Sequence, residues 1–316
     1  MRAMFACLVL TAFLPLPPAI HAQDAAKNAK SGLIVVNSDG KEHTLKNWRI
    51  ILGARRLVLR TDPVKLPAKG DKSEPAKQPE GPEYLEFRED HSTTFEKGIL
   101  TLVPITSIRQ IDYDEAKKSV AVTMLQADGK EVVLTGTTKY DRINKLTIEG
   151  EIDAKDLEGA TVRVQGGMRN AKPSVKSFRF PGAAQPPPKV IGPGVIITAI
   201  AEKKLELKAN DIKALYTIAG QDRISSNLMF KKQVKIDLAK IVKMKHVQVV
   251  DKKQISWDFD VSMSDGMQYI FTLIRDTFPD DNTPAQLQGL IGMAPTGYRL
   301  FPPHTIGELR KEEVKP

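Results

Sequence analysis

One short pattern occurs twice in this chain, and its recurrence constrains the fold more than any other feature. In the first half Ile105, Ile108 and Ile111 stand three apart. In the second half Leu238, Ile241 and Met244 do the same, 133 residues later. Each run leads through a polar turn holding a lysine pair (Lys117-Lys118, Lys252-Lys253) into a β-rich segment. Upstream, Thr44-Leu45-Lys46-Asn47 matches Glu206-Leu207-Lys208-Ala209 at an offset of 162. Downstream, Gly167-Met168 and Phe180-Pro181 match Gly292-Met293 and Phe301-Pro302. Self-similarity of this kind points to an architecture of two like units. The larger upstream offset assigns extra chain to the first unit. The stretch 62–82 supplies it: Pro63, Pro67, Pro75, Pro79 and Pro82 stand among lysines without apolar periodicity, which reads as a long disordered loop.

The segments around these runs alternate as strands do. Tyr84 to Arg88 is one, and Ile255, Trp257, Phe259 and Val261 present one face while Ser256, Asp258, Asp260 and Ser262 present the other. That is the pattern of a half-exposed antiparallel sheet. Asp39-Gly40, Asp128-Gly129 and Asp265-Gly266 each lie between two β-prone runs, a hairpin signal. The three-residue spacing predicts a short helical turn leading into a strand at Ile111-Asp112-Tyr113. Gly182 to Pro188, with Pro186-Pro187-Pro188, reads as a semi-rigid spacer. From Phe278 to Pro303 the chain is rich in Pro and Gly, and the second unit reads as compressed there.

The expected fold is therefore all-β: two tandem related β-rich domains, barrel or sandwich, joined by a Pro-rich linker. The expected boundaries are a flexible leader at 23–32, copy one at 33–181, the linker at 182–193, copy two at 194–309 and a charged tail at 310–316. The rhythm of strand, short helical turn and strand around Ile105 to Ile111 is similar to small SH3-like or Sm-like barrels. The whole chain also resembles a group of secreted proteins of planctomycete-type bacteria. Pro104 to Asp114 and Gly129 to Gly136 carry that likeness in copy one, whereas copy two has Asp237 in place of the Pro and His246-Val247-Gln248 in place of Asp-Tyr-Asp. The resemblance implies this fold and export. It brings no activity with it.

The N-terminus independently reads as a secretory signal. Arg2 precedes an uncharged apolar run from Met4 to Leu16, Pro15, Pro17 and Pro18 break it, and Ala22 offers a small residue for cleavage, giving a signal peptide of 1–22. About 13 apolar residues fall short of the ~20 that span a bilayer, so no transmembrane span is expected after signal removal. The single cysteine, Cys7, lies inside this segment, so folding must rest on core burial rather than disulfides. The net charge is +9. A basic exported protein can attract an anionic envelope polymer, and export argues against nucleic acid as a partner.

Candidate sites are few. Between Lys231 and Lys253 eight lysines face only Asp237 and Asp251, and Lys231, Lys232, Lys235, Lys240, Lys243 and Lys245 form a candidate patch for an anionic partner. The bland alternative is that these lysines guard an exposed sheet edge against aggregation. Lysine rather than arginine predicts loose recognition without bidentate geometry. Asp258 and Asp260, two apart on one strand face, could share acid–base work or hold a hard cation; the better reading is a solvated polar face opposite Trp257 and Phe259. Asp112 and Asp114 form a weaker pair beside a turn. His43, His91, His246 and His304 are scattered without ligand spacing, and no nucleophile motif or phosphate loop occurs. Trp48, Tyr113 and Tyr140 could stack on a sugar, or simply fill the core.

No catalytic residue, metal or cofactor is expected from this pattern. The leading expectation is an exported, non-catalytic binding or scaffolding protein of the cell envelope or extracellular space, contacting an anionic or polysaccharide partner or another envelope protein. Two alternatives remain: an envelope-polymer hydrolase using Asp258 and Asp260, and a purely structural self-assembling module.

Overall fold

A computed structural model describes residues 32–58, 83–88, 99–137, 146–153, 159–166, 175–199, 206–218, 221–249, 256–280 and 283–312. The expected signal segment 1–22, residues 23–31 of the expected leader, the proline-rich stretch 62–82, Gly167-Met168, Lys252-Lys253 and residues 313–316 lie outside the described residues. The first half gives β1 (Leu33–Asn37), β2 (Glu42–Leu52), β3 (Ala54–Val58), β4 (Glu83–Phe87), β5 (Leu100–Pro104), β6 (Ile108–Asp114), β7 (Ser119–Leu125), β8 (Glu131–Thr137), β9 (Thr147–Asp153), β10 (Thr161–Gln165) and β11 (Val175–Arg179). The second gives β12 (Gly194–Ala199), β13 (Glu206–Ile218), β14 (Gln221–Ser225), β15 (Asn227–Phe230), β16 (Val234–Asp237), β17 (Ile241–Val249), β18 (Ser256–Met263), β19 (Gln268–Ile274), β20 (Asp276–Asp280), β21 (Thr283–Ala294), β22 (Gly297–Phe301) and β23 (Ile306–Lys311). The all-β reading is borne out. The only helical pieces among the described residues are single 3-10 turns, and none is long and apolar enough to cross a membrane.

Local chemistry explains the strand ends. In all three Asp-Gly hairpins the glycine takes positive φ (Gly40 82°, Gly129 80°, Gly266 84°), which an L-residue resists. The aspartate before it accepts from the backbone N–H two residues on: Lys41, Lys130 and Met267. The period-three runs become 3-10 turns at Ile105–Ser107 and Leu238–Lys240, each followed at once by β6 or β17. The strand after the first turn begins at Ile108, three residues earlier than the spacing suggests.

One sheet runs β10-β9-β2-β1-β11-β6-β7-β8, and within the larger sheet strands pair as β22-β21-β13-β12-β23-β17-β18-β19. β2 and β13 are long strands broken by one non-glycine residue of positive φ, Asn47 (49°) and Asp211 (50°). A glycine on the neighbouring strand backs onto each break. A Cβ on Gly150 would fall 3.0 Å from the Lys46 carbonyl oxygen, and one on Gly292 would fall 3.1 Å from that of Asn210. These breaks lie 164 residues apart, so the sequence offset of 162 is two residues short and keeps each side chain on its face. Phe180 follows β11 and donates its N–H to Arg109 O, whereas Phe301 ends β22 and leads into the 3-10 turn Pro303–Thr305. Those two Phe-Pro pairs therefore occupy different places.

The Pro- and Gly-rich stretch after Phe278 is not compressed. It forms β21, twelve residues long, and β22. Gly289 belongs there because the Phe301 backbone passes too close for a side chain, and Gly292 because the Ile212 and Ala209 side chains and the Asn210 carbonyl crowd it. β23 likewise runs through Lys311, so Arg310 and Lys311 are sheet residues rather than tail.

The two halves share one closed barrel. Seven strands pair in a ring, β13-β14-β3-β4-β5-β22-β21 and back to β13. β3–β14 is the single parallel seam between halves, and β5–β22 is antiparallel. The ring is filled by Leu57, Tyr84, Leu102, Leu215, Ile291 and Leu300, with Ile224 packed against them. Period-two alternation buries the opposite faces of the same strands. Leu85, Phe87 and Val103 enter the first-half core, while Ala214, Tyr216, Leu290 and Phe301 enter the second-half core. The Pro-rich segment 182–193 straps the assembly: Gln185 N–H donates to Thr106 O at 2.8 Å, and Pro187 is buried. The barrel core thus draws on strands from both sides of 182–193, while the two larger cores lie almost wholly on their own sides of it.

One end of the barrel is charged. Arg55, on the face of β3 that carries Leu57, sets its Nε 2.6 Å from Glu86 of β4 and an Nη 3.2 Å from Asp222 of β14. Thr217 Oγ1 donates to the other Asp222 oxygen at 2.7 Å. Side-chain exposures of 13% for Arg55 and 3% for Glu86 place the pair out of water. Burial raises the Tyr84 phenol pKa well above its ordinary value, with the edge-on Tyr298 ring 5.6 Å away.

Candidate functional site

The candidate lysines fall on two different structures. β15 and β16 form a hairpin closed by the pair Phe230–Val234, and its three-residue tip is Lys231-Lys232-Gln233. β16 is the last strand of its sheet. Lys231 and Lys232 crown the tip, Lys235 lies on β16 and Lys240 sits in the 3-10 turn after it. All four are exposed and make no ion pair among the described residues. Lys232 and Gln233 both adopt left-handed backbone, φ 61° and 60°. Two successive non-glycine residues there are strained, each by about 1–2 kcal/mol, and strain of this sort gathers at binding tips.

Lys243 and Lys245 lie instead on the outer face of β17, among acids. Lys243 Nζ is 3.2 Å from Glu308 of β23. Lys245 stands in register between Glu308 and Asp260. Arg310 pairs with Glu206 on the same face. That face is charge-balanced, so the six residues do not make one cationic patch.

Asp258 and Asp260 do share the outer face of β18, as their spacing requires. Asp258 accepts from Thr272 Oγ1 at 2.7 Å, and Asp260 lies across from Lys245. The alternation of β18 is as expected, with Trp257, Phe259 and Val261 buried. His246 packs edge-on against Phe259, ring centroids 5.5 Å apart, and burial holds its pKa below the ordinary imidazole value against the pull of Asp258. His43 and His304 lie on β2 and the 3-10 turn 303–305, and His91 lies outside the described residues. No group of three or more metal-ligating side chains gathers among the described residues.

The weaker candidates resolve into local structure. Asp112 accepts from Gln110 Nε2 at 2.7 Å, and Asp114 caps the following turn by accepting from the Lys117 N–H, which lowers its pKa. Tyr113 is a core residue against Phe178, and Trp48 is half-buried against Phe180. Tyr140 lies outside the described residues. The expected sugar-stacking rings are thus turned inward where they are described, because alternation on β6 puts Tyr113 on the same face as Ile111.

The exposed ring is one that sequence reasoning missed. Phe230, just before the lysine tip, lies 4.9 Å from Phe271, and Phe271 lies 5.2 Å from Tyr269. Tyr269 is 39% exposed, with Met267 and Ile270 beside it on β19 and its approach. Tyr269 and Phe271 stand opposite Val261 and Phe259 on the core side of β19, but β15 reaches β19 through the single pair Phe230–Leu273, leaving the earlier part of β19 uncovered. The Arg55–Glu86–Asp222 cluster was also missed, since its members come from both halves. Comparison with protein-family models, curated proteins and solved structures finds no match for this chain.

Proposed function

We propose that this chain is an exported, non-catalytic binding or scaffolding protein of the cell envelope or extracellular space, which holds an anionic partner on the β15–β16 hairpin. The observation that carries the reading is the set Lys231, Lys232, Lys235 and Lys240. These four are exposed, three on the edge hairpin and Lys240 in the turn that follows it, with no carboxylate within ion-pair distance among the described residues. Unpaired lysines keep their attraction for an outside anion, whereas Lys243 has spent it on Glu308. Export rests on Arg2, the apolar run Met4 to Leu16 and the small Ala22. We further read the chain as two related β units, fused through a common barrel and strapped by the Pro-rich segment 182–193. Matching strand order and the paired breaks at Asn47 and Asp211 support this.

A salt-titrated pull-down with isolated envelope and wall fractions tests the reading. The chain with Lys231, Lys232, Lys235 and Lys240 all changed to Gln should lose binding. The control Lys243→Gln/Lys245→Gln should keep most of it, and added salt should abolish what remains. Binding by neither protein at low salt, or equal binding by the four-site variant, would refute the assignment.

A further inference from the structure

The hairpin does not stand alone. Four exposed apolar side chains lie on it or along the uncovered edge of the neighbouring strand: Val234 (37% exposed) on β16 itself, Met267 (52%) and Tyr269 (39%) before and on β19, and Ile270 (70%) on the opposite face of β19. Their position follows from the register. β15 is antiparallel to β19 at Phe230–Leu273, so the turn residues 231–233 run beside the β19 residues that precede Leu273. The turn packs against β19, and the ring series Phe230, Phe271, Tyr269 leads from the lysines to the apolar set. Two nearby acids are committed to backbone: Asp237 accepts from the Ala239 N–H, and Asp265 accepts from the Met267 N–H. Asp260, opposite Ile270, lies next to Lys245 in register.

Lysines mixed with exposed aliphatics and a tyrosine do not suit a hydrophilic polyanion, which offers Ile270 and Met267 nothing. They suit a phospholipid surface. There phosphates lie at the level of the ammonium groups and acyl chains lie just beneath, within about 5–10 Å. Tyrosine favours that boundary, and lysine stems can lie along it with their charges in water. We propose that this hairpin and the adjoining part of β19 dock peripherally on an anionic phospholipid bilayer, with Lys231, Lys232, Lys235 and Lys240 on headgroup phosphates and Ile270, Met267, Tyr269 and Val234 shallowly inserted. This rests on the hairpin reading above and names its partner. The corresponding edge of the first half lacks the combination: β8 exposes Val133, but Arg109 beside it is tied to Glu131.

Co-sedimentation with phosphatidylcholine vesicles, with and without phosphatidylglycerol, tests the proposal, with soluble dextran sulfate as a polyanion lacking acyl chains. The full chain should sediment only with the anionic vesicles. Each lysine changed to Gln should weaken that binding about fivefold at low salt. The pair Met267→Ser/Ile270→Ser should weaken vesicle binding about tenfold or more while leaving dextran sulfate binding unchanged. Ile270→Trp should shift its fluorescence to the blue on anionic vesicles, and bromine-labelled acyl chains should quench it. Dextran sulfate binding without vesicle binding, or full vesicle binding by the serine pair, would overturn the bilayer proposal and leave the hairpin reading standing. Loss of every interaction would overturn both.

Discussion

The first half ties arginines to carboxylates, and the hairpin of the second half leaves its lysines free. Arg49 and Arg163 both reach Glu149, Arg109 reaches Glu131, Arg179 reaches Glu42, and Arg55 is buried between Glu86 and Asp222. All of these are arginines, whose planar fork suits a carboxylate. Around the β15–β16 tip the cations are lysines with no such partner. A count of basic residues treats the two regions alike. Pairing separates them: one set holds strands together, and the other remains available to something outside the chain.

The sharpest way to break that contrast is at its most buried point. Arg55→Met leaves Glu86 and Asp222 at the barrel end without their cation. Breaking a buried pair in this way costs about 3–5 kcal/mol, so chemical denaturation should show a loss of that order. The seam between β3 and β14 lies at this cluster, and hydrogen exchange should therefore quicken in both halves together. A matched control is Arg163→Met. Arg163 also grips a glutamate, but at 70% exposure, and should lose no more than about 1 kcal/mol. Equal losses for the two substitutions would mean that burial does not separate them, and the barrel would not be the joint of the molecule.

The sequence exposed part of this arrangement and hid the rest for identifiable reasons. The Asp-Gly hairpins and the alternation of β18 were legible because each depends on a few neighbouring residues. The 3-10 turns at 105–107 and 238–240 were legible as period-three runs. The barrel was not, because Tyr84-Leu85-Glu86-Phe87 reads as one alternating strand with a single buried face, whereas both faces are buried. Glu86 between two large apolar residues was the available clue. β21 was hidden by its glycines, which mark close backbone approach rather than a loop. For the site, all six lysines were visible, but no spacing rule could show that Lys243 would meet Glu308, 65 positions along the chain.

A smaller effect of opposite sign should appear at the hairpin tip. Lys232 holds a left-handed backbone that glycine would accept without strain. Lys232→Gly should therefore stabilise the fold by about 1 kcal/mol while weakening attraction to the anionic partner. Lys231→Gly, at a position without positive φ, should weaken binding comparably and bring no such gain. Urea melts beside the vesicle assay would separate the two variants. If both destabilise alike, the tip is unstrained, and its shape gives no support to a binding role.

The smallest effect lies in how the paired half responds to acid. Hydrogen bonds from Arg163 and then Arg49 hold the Glu149 carboxyl below its ordinary pKa. A carboxylate lowered in the folded state adds stability above its unfolded pKa of about 4.3 and loses it as pH falls through the folded value. Glu149→Gln should accordingly cost a little at neutral pH and flatten the decline on the acid side of pH 4.3. His246 acts in a higher window, because burial lowers its pKa and disfavours the imidazolium. Its share is present above about pH 6.5 and fades as pH drops below that value. His246→Phe should remove only this second, milder decline, and a melting series from neutral to acid pH would resolve the two. A decline unchanged in both variants would place the acid sensitivity elsewhere, and would weaken the view that the first half depends on its paired charges.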